Sequence, residues 1–223
     1  MLSSIAGGKA LRRNMAIRKR WVKVASVILG LRAEIDGNIS SGVYLFASNH
    51  RSFADPVVAL QFIYALPLAK AEVGKYPLIG YGAKITGILF VQRESLKSRM
   101  SAREAIHESL RSELSVLIYP EGTTTDQQTA HPFKGGSFEV AAELGIPVIP
   151  VAIEYEDPGD HWSNTSLLSH YLRQFGKYRS RCKIGFGEPI YAGDAKQLRL
   201  DTQKWIDEKM QIYRLHFDES NGF

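Results

Sequence analysis

Asn49, His50 and Asp55 stand close together in Asn49-His50-Arg51-Ser52-Phe53-Ala54-Asp55-Pro56, directly after the apolar run Val43 to Ala47. An imidazole and a carboxylate at this spacing can share one task. A carboxylate that holds one ring nitrogen leaves the other free to take a proton from an alcohol. A loop reversing between a strand and a helix would bring the two side chains together. The simpler readings are that Asp55, followed by Pro56, caps an apolar helix from Val57 to Leu66, and that His50 is a surface-loop histidine. Lys70 and Arg93 are candidate anchors for a phosphate, which a fork-shaped guanidinium grips well. Glu121, Gly122 and Thr123 follow another apolar run, Val116 to Tyr119. Ser52 and Cys182 are the candidate covalent nucleophiles, but Ser52 is more simply a loop hydroxyl and Cys182 a small buried apolar residue.

These residues need a frame to hold them. Apolar, β-rich runs at Val43 to Ala47, Ile88 to Val91, Val116 to Tyr119, Val148 to Ile153 and Cys182 to Phe186 alternate with helical patterns. One such pattern contains Leu96, Met100, Ile106, Leu110 and Leu114; another runs from Phe138 to Leu144; a third, from about Ala195 to His216, closes the chain. The alternation predicts an α/β fold: a single domain with a mostly parallel central sheet flanked by helices. Functional loops in such sheets gather at the carboxyl ends of strands, where His50 and Glu121 both fall. Residues 157–177 begin with turn residues and show weak periodicity, and they read as an insertion without an assigned role.

With 223 residues, 44% hydrophobic and 23% charged, the chain can build one sizeable core. Its net charge of +5 is concentrated at one end. Between Met1 and Ala33 there are eight Lys or Arg and no acid, so the remainder is slightly acidic. The uncharged run Val24 to Leu31 is too short to cross a bilayer, which takes about 20 residues, and no secretory cleavage site follows it. Ile17, Trp21, Val24, Ile28 and Leu31 share one helical face. That pattern predicts an amphipathic helix within residues 1–35, lying on an anionic membrane surface, with residues 36–223 as the catalytic domain. The competing reading packs the same stripe on the domain core. One cysteine permits no intrachain disulfide and favours the cytoplasmic face of the membrane. The six histidines show no ligand spacing, so no metal is expected; nor is nucleic acid, because an apolar stripe among the cations suits lipid better.

Four stretches in order carry a resemblance. Asn49-His50 with Asp55 matches an Asn-His-x-x-x-x-Asp motif, and Gly87-Ile88-Leu89-Phe90-Val91-Gln92-Arg93 a second motif ending Phe-x-x-Arg. Tyr119-Pro120-Glu121-Gly122-Thr123 matches a third, usually Phe-Pro-Glu-Gly-Thr, and Val148-Ile149-Pro150-Val151 a fourth. Over about half its length, Tyr44 to Ile153, the chain resembles the lysophosphatidate (1-acylglycerol-3-phosphate) acyltransferase family, the PlsC-like glycerophospholipid acyltransferases. The resemblance implies that His50 is the general base on an acceptor hydroxyl, that Asp55 orients the ring, and that the hydroxyl attacks an acyl thioester directly. It implies acceptor binding by Glu121, Gly122, Thr123, Lys70 and Arg93. The donor would be acyl-CoA or acyl carrier protein, with no cofactor. Backbone N–H groups near the His50 loop would hold the oxyanion. One departure bears on the acceptor: many phosphatidate-forming members continue the third motif with Arg, whereas here Thr124-Thr125-Asp126 follows. Lys70 and Arg93 keep lysophosphatidate as the leading acceptor; the hydroxyl pair suits a lyso-aminolipid or a larger head group. A thioesterase or a non-catalytic lipid-binding relative is the reading from another class.

Overall fold

The structure is a computed structural model that describes residues 8–71, 87–91, 96–163, 165–191 and 193–220. Helix α1 (Gly8–Ile28) leads into β1 (Leu31–Asp36), and β2 (Leu45–Ser48) is followed by a short α2 (Asp55–Ala59). Strands β3 (Leu66–Lys70) and β4 (Leu89–Val91) precede α3 (Leu96–Arg111), β5 (Val116–Ile118), α4 (Gly136–Leu144) and β6 (Val148–Tyr155). A 3-10 turn at Pro158–Asp160, α5 (Leu167–Phe175), β7 (Ser180–Phe186) and the long α6 (Ala195–Ser220) complete the chain. The seven strands form one sheet in the order β1-β7-β6-β2-β5-β3-β4. Every neighbouring pair is parallel except β6 with β7.

Alternation along the strands builds a core on each face of this sheet. Leu45, Ala47, Val116 and Ile118 point to the side covered by α3, α4 and α6, where they meet Ile106, Leu110, Phe138, Ile206 and Met210. Phe46, Leu117, Ile149, Val151 and Ile153 point to the other side, against Val58, Ala59 and Ile63. Strand β2 is the pivot. From it the chain moves to one side for β3, β4 and β5, then crosses to the other for β6 and β7, so the connections diverge at its carboxyl end.

Several local expectations change. The helix expected from Val57 to Leu66 stops at Ala59, and β3 begins at Leu66. Asp55 is not the cap of α2: Ala54 occupies that position and no side chain caps the helix. Of the apolar positions expected to bury on α3, Ile106 and Leu110 do, with Leu114 just beyond, while Met100 is exposed. Residue 35, taken as the end of the N-terminal segment, lies inside β1, so α1 runs straight into the sheet.

Helix α1 rests on the domain by the face opposite its apolar stripe. Met15 and Ser26 are buried there, and Val22 packs against the core. Arg18 is also buried, and its guanidinium donates to Gly87 O at 3.0 Å and to Ala65 O. Burial lowers the Arg18 pKa to about 10. Lys19 donates to Phe62 O at 2.7 Å and lies over the Tyr64 ring. Ile17, Trp21, Val24 and Ile28 face outward, with Trp21 70% and Ile28 76% exposed, whereas Leu31 belongs to β1 and is buried. The stripe therefore does not pack on the core. Arg18→Ala removes charge-assisted bonds to two carbonyls; it should destabilise the fold by about 1.5–3 kcal/mol in urea unfolding. An unchanged midpoint would mean that α1 is not fixed through Arg18.

Candidate active site

Three adjacent parallel strands, β6, β2 and β5, deliver their carboxyl ends to one place. His50 follows β2, Glu121 follows β5, and Tyr155 ends β6. Asn49 ties the first of these to the third: its amide nitrogen donates to Ile153 O at 2.8 Å and its oxygen accepts from Ile153 N at 2.8 Å. A buried amide here continues the strand pairing of β2 past its end, a task that needs both a donor and an acceptor.

Asp55 lies at the centre. Its Oδ2 meets His50 Nδ1 at 2.7 Å and accepts from the backbone N–H groups of Arg51 at 2.7 Å and Ser52 at 2.9 Å. Its Oδ1 accepts from Tyr155 Oη at 2.8 Å. The carboxylate is fully buried. A carboxylate at Nδ1 keeps the ring proton there and leaves the Nε2 lone pair as the available base. The ring is 20% exposed and stacks on Tyr119, centroids 4.3 Å apart. The expected pair is thus brought together. The cap and the solvated-loop readings both fail.

Glu121 fixes the same loop from the other side. Its two oxygens accept from His50 N at 2.6 Å and His131 N at 2.7 Å, and the side chain is only 4% exposed. Burial pushes its pKa up to about 7, against the lowering effect of those two bonds. Glu121 was expected to bind the acceptor, but its oxygens are committed to backbone, so it positions His50. Gly122 adopts a left-handed φ of 78°, which turns the chain away after Glu121; a Cβ there would run into the Lys134 ammonium. Thr123 lines a groove of about 270 Å³ together with Thr124, Asp126, His131, Trp162 and Ser163. That groove adjoins His50, since Thr125 N donates to His50 O at 2.9 Å. Thr125 is buried and its hydroxyl accepts from Gln127 N, so of the expected hydroxyl pair Thr124 is the one less engaged in loop structure. Lys70 is exposed at the end of β3, two strands from β2. Arg93 lies outside the described residues.

One expectation is overturned, and the two alternative nucleophiles are accounted for. The loop amides of His50, Arg51 and Ser52 are already donated to Glu121 and Asp55, so they do not form an oxyanion hole. Ser52 is no nucleophile: its buried hydroxyl donates to Gln174 Oε1 at 2.6 Å and lies 2.9 Å from His170 Nε2. Cys182 is buried within β7, and burial raises its thiol pKa far above the thiolate range.

Sequence reasoning missed Tyr155, Arg51 and Glu154. Arg51 is 2% exposed; it donates to Glu154 Oε2 at 2.7 Å through Nη2 and to Thr125 O at 3.0 Å through Nη1. Glu154 also holds His161 Nε2 at 2.8 Å and Arg214 Nη2 at 2.6 Å. Burial alone would raise the Glu154 pKa, but the His161 hydrogen bond and the nearby Arg51 charge bring it below the usual carboxylate range. This buried cluster ties the His50 loop, the 123–127 loop, β6 and α6 together. Its one sequence signal is a cation, Arg51, directly after the Asn-His pair.

Two outcomes follow. Tyr155→Phe removes one hydrogen bond to the Asp55 carboxylate and should lower kcat about tenfold or more with KM little changed; an equal loss in KM would instead indicate a binding role. Because the folded pKa of Glu121, about 7, exceeds its ordinary 4.5, this group's contribution to stability is complete below about pH 4.5 and lost as the pH rises through about 7. Glu121→Gln should flatten the fall in stability across that window in denaturant titrations, and an unaltered slope would contradict the burial argument.

Comparison with known proteins shows the family and the fold. A family model described as Acyltransferase matches residues 31–154, more than half of the chain. The lyso-ornithine lipid O-acyltransferase of Pseudomonas aeruginosa is 32% identical over 176 residues, covering 76% of this chain and 68% of that protein. The chloroplastic 1-acyl-sn-glycerol-3-phosphate acyltransferase BAT2 of Brassica napus is 25% identical over 88% of this chain and 56% of its own length. The chain thus spans between about half and two-thirds of these curated relatives. The crystal structure of the 1-acyl-sn-glycerophosphate acyltransferase PlsC from Thermotoga maritima superimposes with a TM-score of 0.67 at 19% identity, over 88% of this chain and 78% of that one, which shows the shared fold. With a His50–Asp55 pair at the carboxyl end of the central strand and matches of this extent around it, the chain belongs to the acyltransferase family, in its PlsC-like, O-acyl-transferring branch.

Proposed function

We propose that the protein transfers a fatty acyl group from an acyl thioester, acyl-CoA or acyl carrier protein, to the free hydroxyl of a lysolipid at a membrane surface. The observation that carries this reading is the His50 Nδ1–Asp55 Oδ2 contact of 2.7 Å, on a carboxylate whose remaining contacts come from the protein itself. The acceptor hydroxyl gives its proton to His50 Nε2 as its oxygen attacks the thioester carbonyl. Asp55 stabilises the resulting imidazolium. Collapse of the tetrahedral intermediate forms the ester and expels the thiolate, which takes the proton back from His50. No acyl-enzyme is required. Among the described residues, no helix is long and apolar enough to cross a membrane. The outward stripe of α1, within a segment without acids, suits an anionic bilayer on its cytoplasmic face.

The four motifs support 1-acylglycerol-3-phosphate as acceptor. A second reading has its own observation: the groove beside His50 is lined by Thr123, Thr124, Thr125, Ser163, Gln127, His131, Trp162 and the acidic Asp126, with no Lys or Arg among the described residues. Such a lining fits an amine-bearing head group better than a bare phosphate, in keeping with the lyso-ornithine lipid named for one relative.

The test is turnover by purified protein with one acyl thioester and a panel of lysolipids, scored as new diacyl product. His50→Ala should lose ~10²–10⁴-fold in rate while remaining folded; near wild-type turnover would remove His50 from the mechanism, and fatty acid release without acceptor would make the protein a thioesterase. Thr124→Arg should raise kcat/KM for lysophosphatidate relative to an amine-bearing lysolipid. An unchanged ratio would mean that Thr124 does not face the head group.

A further inference from the structure

Residues 157–177, which sequence periodicity left without a role, contain the strongly two-faced helix α5. Its start is well defined, because Ser166 caps it by accepting from Ser169 N at 3.2 Å. The inner face carries His170 and Gln174, one turn apart and both buried, and these grip Ser52 in the catalytic loop. Trp162 adds to this grip: it stacks on His170 at 5.7 Å, and its backbone N–H donates to Arg51 O at 2.7 Å. The outer face is apolar and open. Leu168, Tyr171 and Leu172 share it at i, i+3 and i+4, with Leu168 67% and Leu172 62% exposed. Just past the helix, Tyr178 is 96% exposed.

This face continues toward the stripe of α1. Tyr171 packs on Phe175, ring centroids 4.7 Å apart. Tyr178 and Arg179 share a groove of about 560 Å³ with Val27, Ile28 and Arg32 at the end of α1. Charge follows the same division. The chain has no acid from Met1 to Ala33 and none from His161 to Gly187, although it holds 23 acids in all. Two acid-free segments, remote in sequence, meet here. Lys177 and Arg181 are paired with Asp157, Asp160 and Glu156, whereas Arg20, Lys23, Arg32, Arg173 and Arg179 are exposed around the apolar residues.

We infer that Leu168, Tyr171, Leu172 and Tyr178 form a second membrane-docking element that enters an anionic bilayer together with α1. The inference rests on the membrane reading of α1 given above. Two elements fix the orientation of a domain on a plane where one helix leaves it free to swivel. Because the inner face of α5 holds the His50 loop, docking sets the position of His50 relative to the bilayer.

Full-length Leu168→Glu/Leu172→Glu protein should partition more than about tenfold less onto phosphatidylcholine vesicles containing phosphatidylglycerol, since two leucines no longer leave water. Leu172→Cys carries a surface thiol while Cys182 stays buried, so an environment-sensitive dye attached at 172 reports on this face in a chain that keeps the rest of its apolar surface. Its emission should shift to the blue on adding those vesicles. Unchanged partition of the double variant, or a dye that stays in water while the protein is bound, overturns the inference, as does failure of the unmodified protein to bind at all. A lipid-free dimer that the double variant disperses without altering vesicle binding would assign the face to a second copy and also overturn it. Neither readout uses turnover, so loss of the acyl-transfer reading leaves them intact. Trp21→Glu tests α1 by itself: if that variant binds normally while the double variant does not, the α1 reading fails and the α5 inference stands.

Discussion

A carboxylate removed from water must be surrounded by donors, and the active end of this fold is organised by that requirement at Asp55. Left unpaired it would be among the most costly groups a protein can bury. Four donors prevent this. Two are amides of the loop that precedes it, one is the imidazole, and the last is Tyr155 from a neighbouring strand. The same bonds that satisfy the Asp55 carboxylate thus shape the loop and aim the ring, so the geometry of the candidate site and local folding depend on one set of contacts.

A second buried cluster fixes the position of the first. Arg51 leaves the His50 loop in the opposite direction and pairs with Glu154, the residue next to Tyr155 on β6. Successive residues on a strand point to opposite faces, so the end of β6 serves Asp55 through one side chain and Arg51 through the next. Breaking a buried pair of this kind typically costs about 3–5 kcal/mol, because a charge is left uncompensated. Glu121 completes the arrangement from β5, holding the His50 backbone while leaving the imidazole free to react. The three strand ends therefore act on one loop from three sides.

Much of this was legible in the sequence because catalysis fixes residue types at fixed spacings. His50 and Asp55 stood out on chemistry, Glu121 through a motif shared with a known family, and five of the strands appeared as apolar runs. Strands β1 and β3 did not. β1, Leu31–Asp36, alternates polar residues at the sheet edge directly after a helix, and β3 contains Pro67, which argues against a strand. The role of Tyr155 depends on β6 lying beside β2, a pairing across 100 residues that no local pattern encodes. Likewise Asp55 followed by Pro56 has the form of a helix start, and only the surrounding donors show that its carboxylate turns back into the loop. Helix α5 escaped notice because its inner face is polar: His170 and Gln174 bond to Ser52 where an ordinary amphipathic helix would present leucines.

The central claim is that Asp55 sets the tautomer of His50, so that Nε2 is the base. Nitrogen-15 NMR of histidine-labelled protein, above the pH at which the ring is charged, reads this directly, with the His50 resonances assigned by their loss in His50→Ala. The account predicts a protonated Nδ1 and an unprotonated Nε2 for His50. A His50 ring protonated at Nε2 would contradict it.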